Sequence, residues 1–539
     1  MGEIKFEKKT LVEAINTTLQ KTEQTAAEQS VATPGGRFHV RWDEDGSATA
    51  LGQLPFFAEF LEVSGLFTRW VDGCPMDYTS PNAPKVVDVL GTWLLSILDG
   101  QRRYAHVAGL RGDEVAPQIL GMNKIISDES LRRALAHLAP APCKYGSEEE
   151  RAARAIQLAK STAWMDKALG ESTQESLRTP WILDADTSVK LLYGHQAGAE
   201  IGYNPTKPGR PSHTLHTYWI GNIRLVLDVE VQSGKASAAK HSLPRLCQLI
   251  ERLVPEERPA LVRGDSAFGN QGVMAEMERT EQHYLFKLRQ TAGVKRLVER
   301  QWQNVGQGFD AVEGKLRLTG WSGARRVVVL RRRVKDNMVV AETSNENQQS
   351  ALHFIDHSDK VKLWEYAILV TNTDYSLDAI GQLYRDRADC ENSFDELKNQ
   401  WGWGGYTTHD LERCNLSARA VALIYNWWSW YVRLAHPKTR LEAITSRPML
   451  LSGIARLTQH AGQSRLLLTL THAAGDHIKS MIANIRKGLD YVLVNAPQLT
   501  KADRWGVLAR YIINKIIATK PKNSQLLGFP PPSLAIGAT

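Results

Sequence analysis

The chain has 539 residues, 43% hydrophobic and 23% charged, with a formal net charge of +8 and a pI near 9.1, which suggests roughly two to four globular domains and a basic excess that suits a polyanionic partner. Its five cysteines, Cys74, Cys143, Cys247, Cys390 and Cys414, form no CxxC and no zinc-spaced His/Cys cluster, which excludes a disulfide framework and a zinc finger. MGEIKFEKKTLVEAI (1–15) has no apolar signal core, and runs such as VLGTWLLSIL (89–98) are too short to span a bilayer, so a soluble cytoplasmic protein is expected.

QKTEQTAAEQSVATPGG (20–36) is polar and reads as a linker or arm. From Leu51 to about Leu138 the apolar spacing is helical. DEVAPQILGMNKIISDESLRRALAHL (113–138) reads as two helices and a turn, with Gly121 ending the first and Ser127 capping the second. Leu131, Leu135 and Leu138 then face inward, and Arg132 and Arg133 outward. Two readings stand: a helix presented to DNA, and a plain helical hairpin. PAPCKYGSEEE (140–150) marks a boundary, and RAARAIQLAKSTAWMDKAL (151–169) an amphipathic helix. Residues 1–170 are thus a helical N-terminal region and a candidate DNA-binding unit.

TPWILDADTSVKLLYG (179–194) reads as a strand. Asp184 and Asp186, two apart, project from one face of it. Burying two acids in an apolar strand is costly unless they are paired or metal-bound. Strands at 212–220 and 224–232, a helix at 241–254, a short buried strand at 259–265 ending in Asp265, a helix at 272–280 and a strand at 283–289 follow. This α/β order places acids on the first strand and at the end of the fourth, and strand ends commonly line sites in α/β sheets. Residues 291–363 read as a β-rich insertion, with strands at 315–321, 325–334 and 337–343. RRVVVLRRRV (325–334) holds a DNA strand on one reading and guards a sheet edge on the other. Trp302 and Trp321 suit either base stacking or packing.

After a strand at 364–372, LDAIGQLYRDRADCENSFDELKNQW (377–401) reads as one helix, with no Gly or Pro between Leu383 and Trp401. At about 100° per residue, Tyr384, Arg387, Glu391 and Lys398 fall at roughly 0°, 300°, 340° and 320°, a single stripe. Asp395 shares the stripe; Asp389 and Glu396 point away. Arg387 and Glu391 alone would make an ordinary i,i+4 ion pair. With the two acidic strands, Glu391 instead completes a set of hard oxygen ligands that suits Mg²⁺. Residues 406–539 read as a helical tail. Its Trp427, Trp428 and Trp430 suit core packing better than nucleic-acid stacking, and 501–523 forms a basic amphipathic helix that touches DNA or a second subunit. No GxxxxGK[ST] is present, so nothing points to ATP.

This constellation resembles the DDE transposases of bacterial insertion sequences, in the subgroup marked by Tyr, two residues, Arg, three residues, Glu, six residues, Lys. Tyr384, Arg387, Glu391 and Lys398 match that spacing, DADTSV (184–189) resembles the first-Asp motif and RGDSAFG (263–269) the second. YGHQAGAEIGYNP (193–205) resembles the segment that follows the first Asp, and the resemblance covers about 179–405. It implies a ribonuclease-H-like core, split into 178–290 and 364–405 by the insertion. It implies Asp186, Asp265 and Glu391 as catalytic metal ligands, with Asp184 the alternative to Asp186. Asp186 is preferred because Thr187 and Ser188 follow it closely. Two Mg²⁺ ions are implied, with Mn²⁺ able to substitute, and Tyr384, Arg387 and Lys398 contact DNA phosphate. The implied activity is cleavage at the ends of a mobile element and strand transfer into target DNA. The implied partner is double-stranded DNA, with a homodimer on the DNA and a nucleoid-associated location. Two rival readings are a metal-dependent nuclease without strand transfer and a catalytically silent DNA-binding descendant.

Overall fold

The computed structural model describes residues 29–43, 46–78, 80–143, 145–204, 207–333, 364–469 and 473–519, except the side chains of 238, 388 and 389. At its centre lies a nine-stranded mixed sheet. The strands are β4 (Ile182–Leu191), β5 (Ser212–Ile220), β6 (Leu225–Ser233), β7 (Leu261–Gly264), β8 (Tyr284–Lys287), β9 (Gln303–Asn304), β10 (Phe309–Leu316), β11 (Arg325–Arg333) and β12 (Trp364–Thr371), in the order β6-β5-β4-β7-β8-β12-β11-β10-β9. β6, β5 and β4 form an antiparallel meander. β7 then pairs parallel to β4, and β8 parallel to β7. Parallel neighbours need crossovers, and the helices Ala238–Glu251 and Gln271–Arg279 supply them. β7 is buried along its whole length, as expected where helices cover both faces.

The inserted segment differs from expectation in register. Of the strand expected at 315–321, only Lys315 and Leu316 are in a strand. The strand is β10, which pairs Leu316 with Arg325, and Gly320 (φ +83°) sits in the connecting turn. A strand at 337–343 lies outside the described residues. β11 pairs with β12 from Arg326↔Thr371 to Arg333↔Trp364, so the insertion extends the central sheet. The Arg331 guanidinium is sandwiched 4.1 Å from the Trp302 ring and 4.2 Å from the Trp364 ring. Trp321 is buried beside Arg325. Both Trp302 and Trp321 are engaged in packing.

The expected single helix at 377–401 is two, Leu377–Asp386 and Ala388–Gln400, joined at Arg387. The cause is a side chain from the sheet. Arg263 on β7 donates to the Leu383 carbonyl at 2.5 Å, the carbonyl that the Arg387 N–H would take in an unbroken α-helix. The Arg387 N–H bonds to the Tyr384 carbonyl instead, and Cys390 N–H to Arg387, a local 3₁₀ tightening.

The flanks also depart from the sequence reading. Part of the expected linker forms an exposed hairpin, β1 (Gln29–Thr33) with β2 (Gly36–Val40). Ser127 caps Asp128–Leu138 as expected, accepting the Ser130 N–H, but the preceding helix is only Val115–Ile119. The helix expected at 151–169 runs from Glu148 to Leu177, started by a Ser147/Glu150 capping box. The tail is not wholly helical. β13 (Ile454–His460) and β14 (Gln463–Thr469) form a hairpin that takes a third strand, β3 (Ser47–Thr49), from the N-terminal region. The two ends of the chain meet again around helix Leu411–Ala435. It is buried on nearly every side, against β6 and helices from both flanks, with its Arg419 and Asn426 bonded inward. Trp427, Trp428 and Trp430 are at most 2% exposed, packed in the core as the sequence favours. Helix Lys501–Thr519 turns Trp505, Leu508, Ile512 and Ile516 inward and packs against Leu54–Ser64. Among the described residues no helix is long and apolar enough to cross a membrane.

His216 on β5 is fully buried, with Ser242 and Thr214 hydroxyls at its two ring nitrogens. Burial, then repulsion from His241, pushes its pKa down to about 4. The unfolded chain therefore binds this proton more tightly, so stability falls as pH drops from about 6.5 to about 4. Urea unfolding is expected to show a loss of about 3 kcal/mol across that window that is absent from the curve of His216→Gln. Parallel pH curves for the two proteins would refute it.

Candidate active site

β4 carries Asp184 and Asp186 on one side, yet the two carboxylates meet different surroundings. Asp184 is 1% exposed, and both its oxygens accept from Arg263, from Nε and Nη2 at 2.6 Å each. Arg263 stands directly across on the parallel neighbour β7 and is also buried. The pair is bidentate, and Nη1 goes to the Leu383 carbonyl. Asp184 thus ties β4, β7 and the helical segment together, with its acceptor capacity used internally. Asp184 is thus held in a buried ion pair, whereas Asp186 pairs with Arg387 instead.

Asp186 is a residue pair further along β4, with its side chain 20% exposed. It accepts its neighbour Thr187's N–H at 2.8 Å and lies 3.4 Å from Arg387 Nη2. Burial pushes its carboxyl pKa up to about 6; Arg387 pulls it down, and Asp265 and Glu391 push it further up. Asp265 follows β7 immediately, and Ala185 and Gly264 are the last paired residues of the parallel ladder, so both acids lie just beyond its last rung, Asp265 at the carboxyl end of β7 and Asp186 midway along β4. Its Oδ1 accepts the Ala267 N–H at 2.9 Å, which shapes the turn into the helix Gln271–Arg279. Glu391 is 65% exposed and receives Arg387 Nη1 at 3.2 Å. One guanidinium therefore bridges Asp186 and Glu391. Arg387 itself is only 13% exposed.

The other stripe residues are also near. Tyr384 is half-buried, and burial raises its phenol pKa, with Glu365 and Glu391 adding to the rise. Lys398 is half-buried; burial lowers its ammonium pKa while Asp186 and Asp395 oppose the fall. Asp395 is exposed and accepts from Asn399. Glu396 does face away. It is buried beneath Arg440, Trp401 Nε1 (3.1 Å) and the Ala443 N–H (3.0 Å). The Asp389 side chain lies outside the described residues.

Among the described residues no three acidic, His or Cys side chains stand in a ready ligating array. The donor chemistry nevertheless fits a hard divalent cation. Asp186 is surrounded by like charge from Asp265 and Glu391, offset by the Arg387 cation and by Lys398, and oxygen-only sets of this kind suit Mg²⁺ or Mn²⁺. Glu391 is exposed on its helix and, among the described residues, is held by Arg387 alone.

Sequence reasoning missed Arg263 and Lys190. Arg263 carried a readable signal: an arginine inside an apolar strand, one residue before an acid-bearing turn, must find a buried partner. Lys190 likewise sits inside β4 and is 6% exposed.

The family model described as "Transposase DDE domain group 1" matches residues 51–489. No curated protein sequence matches the chain. Among solved structures, a piggyBac transposase synaptic complex with hairpin DNA, determined by cryo-electron microscopy, is similar at 10% identity and a TM-score of 0.35, covering 89% of this chain and 88% of that one.

Proposed function

Since the chain belongs to the family of transposase DDE domains of group 1, matched over residues 51–489, we propose that it cleaves DNA at the ends of its own mobile element, an insertion sequence, and joins those ends to target DNA. The carrying observation is the pair Asp186 and Asp265 just beyond the last rung of the parallel β4–β7 ladder, with Glu391 linked to Asp186 through Arg387. The meander β6-β5-β4 followed by parallel β7 and β8 supports a ribonuclease-H-like core, interrupted by the strands of 291–363.

On this reading Asp186, Asp265 and Glu391 hold two Mg²⁺ ions, for which Mn²⁺ substitutes. Bound there, such ions supply Lewis acidity and charge neutralisation to an in-line phosphoryl displacement. The chain's own groups do the positioning. Arg387 offers a fork of donors and Lys398 a point charge, so both suit non-bridging phosphate oxygens, and the Tyr384 hydroxyl adds a third donor. None of these groups reads a base, so end recognition falls to other parts of the chain. Double-stranded DNA is the partner, bound by a homodimer in a nucleoid-associated complex.

The test uses DNA taken from either side of the gene, searched for matching inverted repeats, and incubated with the protein and Mg²⁺. Nicks at the repeat ends that leave 3′-hydroxyls, followed by joining to a plasmid, are expected. Nicking without joining would favour a nuclease, and binding without nicking a silent descendant. Affinity for the end DNA is expected to fall linearly in log–log terms with salt, by roughly 10³-fold or more between 50 and 200 mM if about six phosphates are bound. A flat salt response would contradict binding through phosphates.

A further inference from the structure

Beside the candidate active site, a groove of about 790 Å³ runs between the end of β4, the segment Trp403–Thr407 and the segment Arg102–Ala105. Its charges have one sign. Arg102, Arg103, Arg132, Lys190 and Lys398 line it, and no carboxylate does. Lys190 stands four residues beyond Asp186 on β4, hence on the same face. It is 6% exposed, and its ammonium donates to the Gly405 carbonyl at 2.6 Å without any carboxylate partner. Burial lowers its pKa, so the cation is held at a cost. Arg102 and Arg103 are exposed, and neither joins an ion pair among the described residues. Arg132 reaches Asp128 at 3.6 Å and lies over the Tyr104 ring.

The groove is built rather than incidental. Tyr406 N–H donates to the Arg102 carbonyl at 2.8 Å. A Cβ on Gly405 would lie 2.0 Å from that same oxygen, so only glycine permits the close approach. The arginine segment is thereby fixed against the loop that follows the Glu391 helix. At the mouth, the 70% exposed Tyr193 ring has the Arg210 guanidinium 4.9 Å from its centroid. An aromatic face beside a basic track is the arrangement that holds single strands.

We propose that this groove binds the sugar–phosphate backbone of a single DNA strand leading out of the Asp186–Asp265–Glu391 site, with Lys190 beneath one phosphate and Arg102, Arg103 and Arg132 along its neighbours. The inference rests on the DNA-cleaving reading and adds the path of the strand. A strand fits better than a small polyphosphate because the cations are spread along the groove from Lys398 to the Arg102 segment.

The test is fluorescence anisotropy in EDTA with a labelled duplex bearing a ten-nucleotide single-stranded tail, a blunt duplex control and inorganic triphosphate as competitor. Lys190→Met and the double variant Arg102→Gln/Arg103→Gln are each expected to weaken binding of the tailed duplex about tenfold and to lower the salt slope by about one for each phosphate left without its cation. Blunt-duplex affinity should change little. Wild-type affinity and slope in both variants would overturn the groove, as would triphosphate displacing the tail at low micromolar concentration. If Lys190→Met fails to fold, the exposed arginine pair decides alone. A wild type that binds the tail through these residues yet never cuts with Mg²⁺ sinks the cleavage reading and spares the groove. A wild type that cuts while the variants bind normally does the reverse.

Discussion

Asp265→Asn and Glu391→Gln are each expected to lower Mg²⁺-dependent DNA cleavage by on the order of 10³-fold while leaving DNA affinity within about twofold. The magnitude follows from the several kcal/mol that a divalent cation contributes to a phosphoryl-transfer transition state, at about 1.4 kcal/mol per decade. Stability should hardly move. Glu391 is 65% exposed with one ion-pair partner, and Asp265 keeps its hydrogen bond from Ala267 through the amide oxygen of Asn. Denaturing-gel cleavage assays alongside melting curves separate the two effects. Cleavage within tenfold of wild type by Glu391→Gln would remove Glu391 from the site.

Asp184→Ala is expected to be the opposite kind of variant, losing about 3–5 kcal/mol of stability because it strands the Arg263 guanidinium without a counter-charge. Arg263 is 4% exposed at its side chain and takes both Asp184 oxygens. Its remaining bond to the Leu383 carbonyl holds the tightened turn at Arg387, so activity falls too, through misplacement of that turn. Asp186→Asn should retain or gain stability at pH 7, since burial and like charge hold the Asp186 pKa up at about 6, and ionising it costs the fold. Its cleavage should be lost. Urea denaturation of the two variants side by side decides the assignment. Equal destabilisation would mean that both aspartates are structural.

The placement of the candidate residues was legible because it is written in spacing. Asp186 and Asp265 follow the last rung of the parallel β4–β7 ladder, and Glu391 shares the helical stripe with Arg387, which reaches Asp186, as strand alternation and helical periodicity require. Glu396 was rightly set aside, and its bond from Arg440 shows why it faces inward. What sequence could not show depends on pairings distant along the chain. The turn at Arg387 arises from a side chain 120 residues earlier bonding a helical carbonyl, while the local sequence favours an unbroken helix. Asp184 and Asp186 share one face of one strand and diverge because β7 places an arginine opposite Asp184. The β13–β14 hairpin draws its third strand from some 400 residues upstream, beyond the reach of periodicity. In the insertion, KLRLTGW had the composition of a strand, but the turn at Gly320 moved the pairing back to FDAVEGKL.

The central claim is that Asp186, Asp265 and Glu391 converge on divalent cations. Crystals of the protein with end DNA, soaked in Mn²⁺ and measured at the manganese edge, test it most directly. Anomalous peaks against all three carboxylates are expected, with Arg387 drawn off Asp186 toward phosphate. Manganese bound elsewhere, with Arg387 still bridging Asp186 and Glu391, would contradict it.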